Sequence, residues 1–124
     1  MTVRPRVVVI DDEPTVAEMT ALALASQGFA VEFATSGPAG LKLVRDTLPD
    51  AVVCDVRMPD LDGEQLVGQL RADLRTQKIP VLFLSGQCHP GEVTQGDAFM
   101  EKPFQLKELA ATVARLIGGR ASAS

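Results

Sequence analysis

The 124-residue sequence predicts an α/β domain, an open and doubly wound parallel sheet with helices on both faces. Short, wholly apolar runs such as Val7-Val8-Val9-Ile10 alternate with longer stretches of helical period. Strands that are apolar along their whole length are buried on both faces, so helices must cover both sides of the sheet. Nearly every run also stops abruptly at a polar residue, which places those residues together along one edge of the sheet.

The elements follow in order. Val7–Ile10 is the first strand and ends at Asp11-Asp12. Pro14 stands where a helix tolerates proline, in its first turn, and Val16, Met19 and Ala23 mark an apolar stripe to about Ser26, stopped by Gly28. Phe29–Ala34 reads as the second strand. Ser36 is placed to cap the next helix, with Leu41, Val44 and Leu48 on its inner face. Ala51–Cys54 is the third strand, ending at Asp55. Beyond a loop with Pro59 and Gly63, Leu66, Leu70 and Leu74 recur at helical spacing. Pro80–Leu84 is the fourth strand, ending at Ser85. Ala98–Met100 is a short fifth before Glu101-Lys102-Pro103, and Leu106, Leu109, Val113 and Leu116 line a closing helix. Residues 1–118 form one domain, and 119–124 read as a flexible tail.

Composition narrows the function classes. Sixteen acids against twelve bases give a net charge of −4, a poor basis for gripping a phosphate backbone, so no nucleic-acid partner is expected. No apolar run approaches a membrane span, and the N-terminus lacks a signal-peptide profile. Cys54 and Cys88 show neither metal-ligand nor redox spacing and read as the reduced thiols of a cytoplasmic protein, Cys54 as a small buried hydrophobe. His89 and Cys88 belong to a Gly/Pro-rich loop and are not read as ligands.

The polar strand ends form a chemically consistent set. Asp11, Asp12 and Asp55 crowded together repel one another unless a cation sits among them. A hard divalent ion meets that need, and Mg2+ favours a few carboxylates plus waters. Lys102 adds a positive charge and Ser85 a hydroxyl. A metal, an ammonium group and a hydrogen-bond donor around one carboxylate are what phosphoryl transfer to that carboxylate requires. The competing reading of Asp11-Asp12 is simple helix capping. Asp60 and Asp62, before Gly63, read as turn residues rather than ligands.

Four motifs in order, each at a strand end, resemble the receiver domain of two-component response regulators over nearly the whole chain. They are Asp11-Asp12-Glu13-Pro14, Asp55-Val56-Arg57-Met58-Pro59-Asp60-Leu61-Asp62-Gly63, Leu84-Ser85-Gly86 and Glu101-Lys102-Pro103-Phe104. The resemblance implies a flavodoxin-like sheet of strand order 2-1-3-4-5. It makes Asp55 the phosphoryl acceptor, with Asp12, Asp55 and the carbonyl of Arg57 on Mg2+ and Asp11 helping through water. Lys102 pairs with the phosphoryl group, Ser85 is the switch hydroxyl and Phe99 holds the switch-aromatic position, against a plainer reading as core. The Lys102-Pro103 peptide is expected to be cis. Met58-Pro59 and Gly63 shape the loop beside the acceptor. Arg57 has a second reading, in which its side chain reaches the phosphoryl group and alters its hydrolysis.

The sequence departs from the family between Ser85 and Lys102, 17 residues apart. A family member normally has a full fourth helix there. Pro90, Gly91 and Gly96, with Val93 as the one good apolar anchor, predict a fourth helix that is short or missing. The output face usually built on that helix is then altered, whereas the chemistry at Asp55 does not depend on it.

The function implied is acceptance of a phosphoryl group from the phosphohistidine of a histidine kinase or phosphotransfer protein. The protein would catalyse only its own Mg2+-dependent phosphorylation and dephosphorylation, and would switch conformation on modification. Without an output domain after Leu116, the expected settings are a single-domain regulator, a relay intermediate, or a receiver excised from a hybrid kinase. The alternative is a receiver fold used as a phosphorylation-independent interaction module. A phosphohydrolase acting on external substrates ranks last, since Arg57 stands where such enzymes carry a second carboxylate. A flavin site is disfavoured because Asp11-Asp12-Glu13 would repel a phosphate.

Overall fold

The structure is a computed structural model that describes residues 4–86, 96–102 and 104–123, the last five by their backbone alone. Its strands are β1 (Arg6–Ile10), β2 (Ala30–Ala34), β3 (Ala51–Asp55), β4 (Val81–Ser85) and β5 (Ala98–Glu101). The described helices are α1 (Pro14–Ser26), α2 (Gly37–Thr47), α3 (Gly63–Ala72) and α4 (Leu106–Ala123). All strand pairs are parallel, in the order β2-β1-β3-β4-β5. The expected doubly wound sheet is therefore present. The short or missing fourth helix was expected across residues 87–95, which lie outside the described residues, as do Cys88 and His89.

Side-chain alternation along the strands divides the core in two. Val8, Ile10, Val52, Cys54, Val81 and Phe83 face one way, packed with Leu41 and Val44 of α2 and Leu66, Val67 and Leu70 of α3. Val7, Val9, Val53, Leu82 and Leu84 face the other, against Ala21 and Leu24 of α1 and Leu109 and Val113 of α4. This two-sided burial is why β3 and β4 carry no polar residue until their carboxyl ends, and β1 none after the exposed Arg6 at its start.

Helix termini follow local chemistry. Ser36 caps α2 by accepting the Ala39 N–H at 3.1 Å. Asp62 opens α3 with a reciprocal capping box, in which its carboxylate accepts from Gln65 N (2.8 Å) while the Gln65 side chain accepts from Asp62 N (3.0 Å).

Three apolar-stripe expectations, at Met19, Leu48 and Leu74, need correction. Met19 is 64% exposed, and the buried stripe of α1 is Ala17, Thr20, Ala21 and Leu24. That helix is apolar almost all round, so composition did not mark its inner face. Leu48 is 46% exposed because it is the C-cap of α2, in left-handed backbone (φ 47°) that turns the chain outward. Leu74 is 84% exposed, since α3 ends at Ala72. Thr76 takes the buried position instead and donates its hydroxyl to the Leu70 carbonyl at 2.7 Å, satisfying a helix-end acceptor. The backbone of α4 runs on through residues 119–123.

Candidate functional site

The carboxyl ends of β1, β3 and β4 and the residue after β5 meet at one edge of the sheet. Asp11 is buried directly after β1 and its N–H donates to the Ala34 carbonyl, 3.2 Å away. Its Oδ1 accepts the Glu13 N–H at 3.0 Å, closing a tight turn into α1. The N-cap of α1 is Glu13, which makes no side-chain capping bond, so Asp11 organises the turn before the helix rather than capping it. Asp12 and Asp55 are half-buried beside it. Carboxylate oxygens of Asp11, Asp12 and Asp55 all lie within 4.8 Å of one another, which is close enough for one small ion to touch all three.

Lys102 supplies the counter-charge. Its Nζ stands 3.1 Å from Asp11 Oδ2 and 3.9 Å from Asp55 Oδ2. The position of the lysine depends on strand register: Ser85 pairs with Glu101, and the Lys102 N–H then donates to the Ser85 carbonyl at 3.0 Å. Burial pushes the Asp55 carboxyl up from 3.8 to about 6, and the charges of Asp11 and Asp12 push the same way. Lys102 and a hydrogen bond from the Arg57 backbone oppose them without cancelling the rise. Three acids and one fixed cation leave excess negative charge in a half-dry site, which is the donor set a hard divalent cation satisfies.

Ser85 is buried at the end of β4, one residue past the rung that pairs Leu84 with Asp55. Phe99 pairs with Phe83 and packs, half-buried, against the core on the α2–α3 side. Arg57 is exposed and Met58 buried on the loop after β3. Gly63 closes that loop by donating to the Val56 carbonyl at 2.8 Å. A Cβ on Gly63 would stand 2.6 Å from the Asp55 carbonyl oxygen and 2.7 Å from the Phe83 ring, so this close approach admits only glycine. Asp60 adopts left-handed backbone (φ 69°) as a turn residue, whereas Asp62 is occupied as the N-cap of α3 in its capping box. Burial pushes the Cys54 thiol well up, leaving a protonated, unreactive side chain in the core. Pro103, and with it the expected cis peptide, lies outside the described residues.

The sequence reading missed the ion pair between Arg71, near the end of α3, and Asp97, just before β5 (2.7 Å). Its two members are 26 residues apart, and nothing local in either segment announces the pairing.

A parallel sheet between two layers of helices, with acids after β1 and β3 and a lysine after β5, is the arrangement of a signalling receiver domain. The response regulator receiver domain family matches residues 7–114, and the chain belongs to it. Among curated relatives, the DNA-binding response regulator MtrA of Mycolicibacterium smegmatis is 36% identical over 117 residues, which is 90% of this chain and 50% of that protein. Response regulator MprA of Mycobacterium leprae is 35% identical over the same shares. The chain thus spans about half the length of these relatives. A putative response regulator from Chloroflexus aurantiacus has a crystal structure 31% identical in sequence, with TM-score 0.86, covering 94% of this chain and 99% of that one. The receiver domain of a signal transduction histidine kinase from Syntrophus aciditrophicus is 30% identical with TM-score 0.83, covering 93% and 91%. Relatives named as DNA-binding leave the expectation of no nucleic-acid partner without support. Among the described residues, no helix is long and apolar enough to cross a membrane.

Proposed function

We propose that this receiver accepts a phosphoryl group on Asp55 from a phosphohistidine of a histidine kinase or phosphotransfer protein. The observation that carries the reading is the convergence of Asp11, Asp12, Asp55 and Lys102 at one sheet edge. Asp11, Asp12, Asp55 and the Arg57 carbonyl would hold Mg2+, which supplies charge neutralisation for the transferring phosphoryl oxygens when bound. An Asp55 carboxylate oxygen forms the new P–O bond as the P–N bond to imidazole breaks, and the imidazole leaves with its electron pair and takes a proton. Lys102 places its ammonium against the phosphoryl oxygens, and the Ser85 hydroxyl donates to them. Hydrolysis by water reverses the modification, so the chain catalyses only its own phosphorylation and dephosphorylation. Ser85 and Phe99, on adjacent strands, then carry the change toward the rest of the fold.

The test is incubation with acetyl phosphate and Mg2+ followed by intact mass, since the chain has no Trp to report fluorescently. One added phosphoryl group, lost in Asp55→Asn and with EDTA, supports the reading. No addition from acetyl phosphate or from a phosphorylated kinase overturns it in favour of a phosphorylation-independent interaction module. Arg57→Ala then separates the two roles of that residue: an unchanged phosphate lifetime leaves it only its carbonyl.

A further inference from the structure

We propose that Arg71 and Asp97 form a clamp that sets the register of β5 and thereby positions Lys102 beside Asp11 and Asp55. The inference rests on the receiver reading above for its chemical consequence, but not for its structural one.

Strand β5 is a poor candidate to hold its own register. It has four residues, lies at the edge of the sheet with β4 as its one partner, and leaves Ala98, Phe99 and Met100 only half-buried. Register is strongly specified where one face is fully buried and weakly where burial is partial. A slip of one residue would carry Lys102 about 3.3 Å along the strand, a distance as long as its whole contact with Asp11. The Lys102 N–H bond to Ser85 is itself a product of the register and so cannot be its cause.

The start of the strand is where register is imposed. The Asp97 N–H donates to the Val81 carbonyl at 2.9 Å as one more backbone bond of the β4–β5 pairing, but Asp97 Oδ2 also accepts the Val81 N–H at 2.8 Å, and that side-chain bond is what ties the residue before β5 to the first residue of β4. The same Oδ2 receives Arg71 Nη2 at 2.7 Å. The other terminal nitrogen, Arg71 Nη1, donates to the carbonyls of Gln77 (3.1 Å) and Ile79 (2.8 Å), in the segment that leads into β4. One planar guanidinium from α3 therefore holds the entrances of both strands at once, a task suited to its fixed fork of donors. Gly96 adds to the fit, because any side chain there would run into the Phe83 ring. An isolated, partly exposed ion pair contributes little to stability; what this one adds is alignment. Arg71 and Asp97 are positioning residues, acting on the chemistry through Lys102.

The test uses the full chain. In Asp97→Leu and Arg71→Gln, amide hydrogen exchange at Lys102 should accelerate, and phosphorylation by acetyl phosphate at saturating Mg2+ should slow by about tenfold, as expected for a displaced reacting group. Mg2+ affinity, read by calorimetry, should hold or increase, because the acidic ligands stay in place while a competing ammonium loosens. In a Lys102→Ala background the same substitutions should cause no further slowing, the mark of two residues acting as a unit. Asp97→Asn retains an acceptor for Val81 and should fall between wild type and Asp97→Leu, which keeps the test usable if Asp97→Leu does not fold. Additive slowing in the Lys102→Ala background, or a parallel loss of Mg2+ affinity, would show general disruption and overturn the proposal. Unchanged Lys102 exchange would also overturn it. If the wild-type chain takes up no phosphoryl group, the receiver chemistry fails, and the exchange measurement alone decides the clamp.

Discussion

Lys102 stands closer to Asp11 than to Asp55, at 3.1 Å against 3.9 Å, so the site's fixed cation is tethered by an acid other than the proposed acceptor. This arrangement keeps the ammonium within reach of a group carried by Asp55 while its shorter contact falls on Asp11. Asp11 can serve in this way because its other oxygen is spent on the Glu13 N–H, which fixes the carboxylate plane. Lys102→Ala should slow phosphorylation by acetyl phosphate about 100-fold, in the range for loss of one preorganised charge-stabilising donor. It should also tighten Mg2+ binding by removing a competing cation. Parallel rate and calorimetric measurements check both.

The raised pKa of Asp55 has two consequences with defined signs. Its carboxyl sits at about 6 in the folded chain against 3.8 unfolded, so the native state binds the proton more tightly. Stability therefore falls as pH rises from about 4 to 6 and carries a constant penalty above that, on the order of 3 kcal/mol at most. Asp55→Asn removes that penalty. Thermal melts should show the variant more stable than wild type at pH 7.5, with the gap closing towards pH 4. The rate of phosphorylation should drop below about pH 6, where the nucleophile is protonated, and added Mg2+ should move that midpoint to lower pH.

Gly63 is required by close approach. An added Cβ would meet the Asp55 carbonyl oxygen, a backbone atom that cannot swing aside, and the buried Phe83 ring. Gly63→Ala should lower stability by about 1–3 kcal/mol, the usual cost of overpacking. Chemical denaturation reads the stability, and a lower Mg2+ affinity in the same variant would report the displaced β3–α3 loop.

Met19 and Leu22 are each 64% exposed on α1, the helix that starts beside Asp11 and Asp12. Three residues apart on one helix face, this exposed apolar pair offers a protein donor a foothold that a small molecule does not need. Met19→Glu with Leu22→Glu should cut phosphoryl transfer from a phosphohistidine protein at least about tenfold, since a few buried apolar anchors dominate most interfaces. Phosphorylation by acetyl phosphate should be unchanged. Equal loss with both donors would place these residues in the fold rather than in recognition.

Much of the fold was legible because a parallel sheet buried on both faces leaves a plain trace: apolar runs that end on polar residues. Val7–Ile10, Ala51–Cys54 and Pro80–Leu84 each announced a strand, and the residues after them announced a shared edge. Capping chemistry was local too: Ser36 caps α2 as its position suggested, while Asp62, read only as a turn residue, caps α3. The leucine stripes were less informative. Periodicity places a residue on a helix face only while the helix lasts, and Leu48 and Leu74 fall where α2 and α3 have ended.

By itself, then, the sequence determined the strand order of polar ends, the acidic set of Asp11, Asp12 and Asp55, and the presence of Lys102 in the same group. Topology carries those residues to one edge whatever the details of packing. Tertiary structure decided which acid Lys102 touches, how far burial lifts Asp55, and how Arg71 reaches Asp97 at the entrances of β4 and β5. Those depend on distances of a few tenths of an ångström and on contacts between residues far apart in the chain, and neither leaves a periodic or local signature in the order of amino acids.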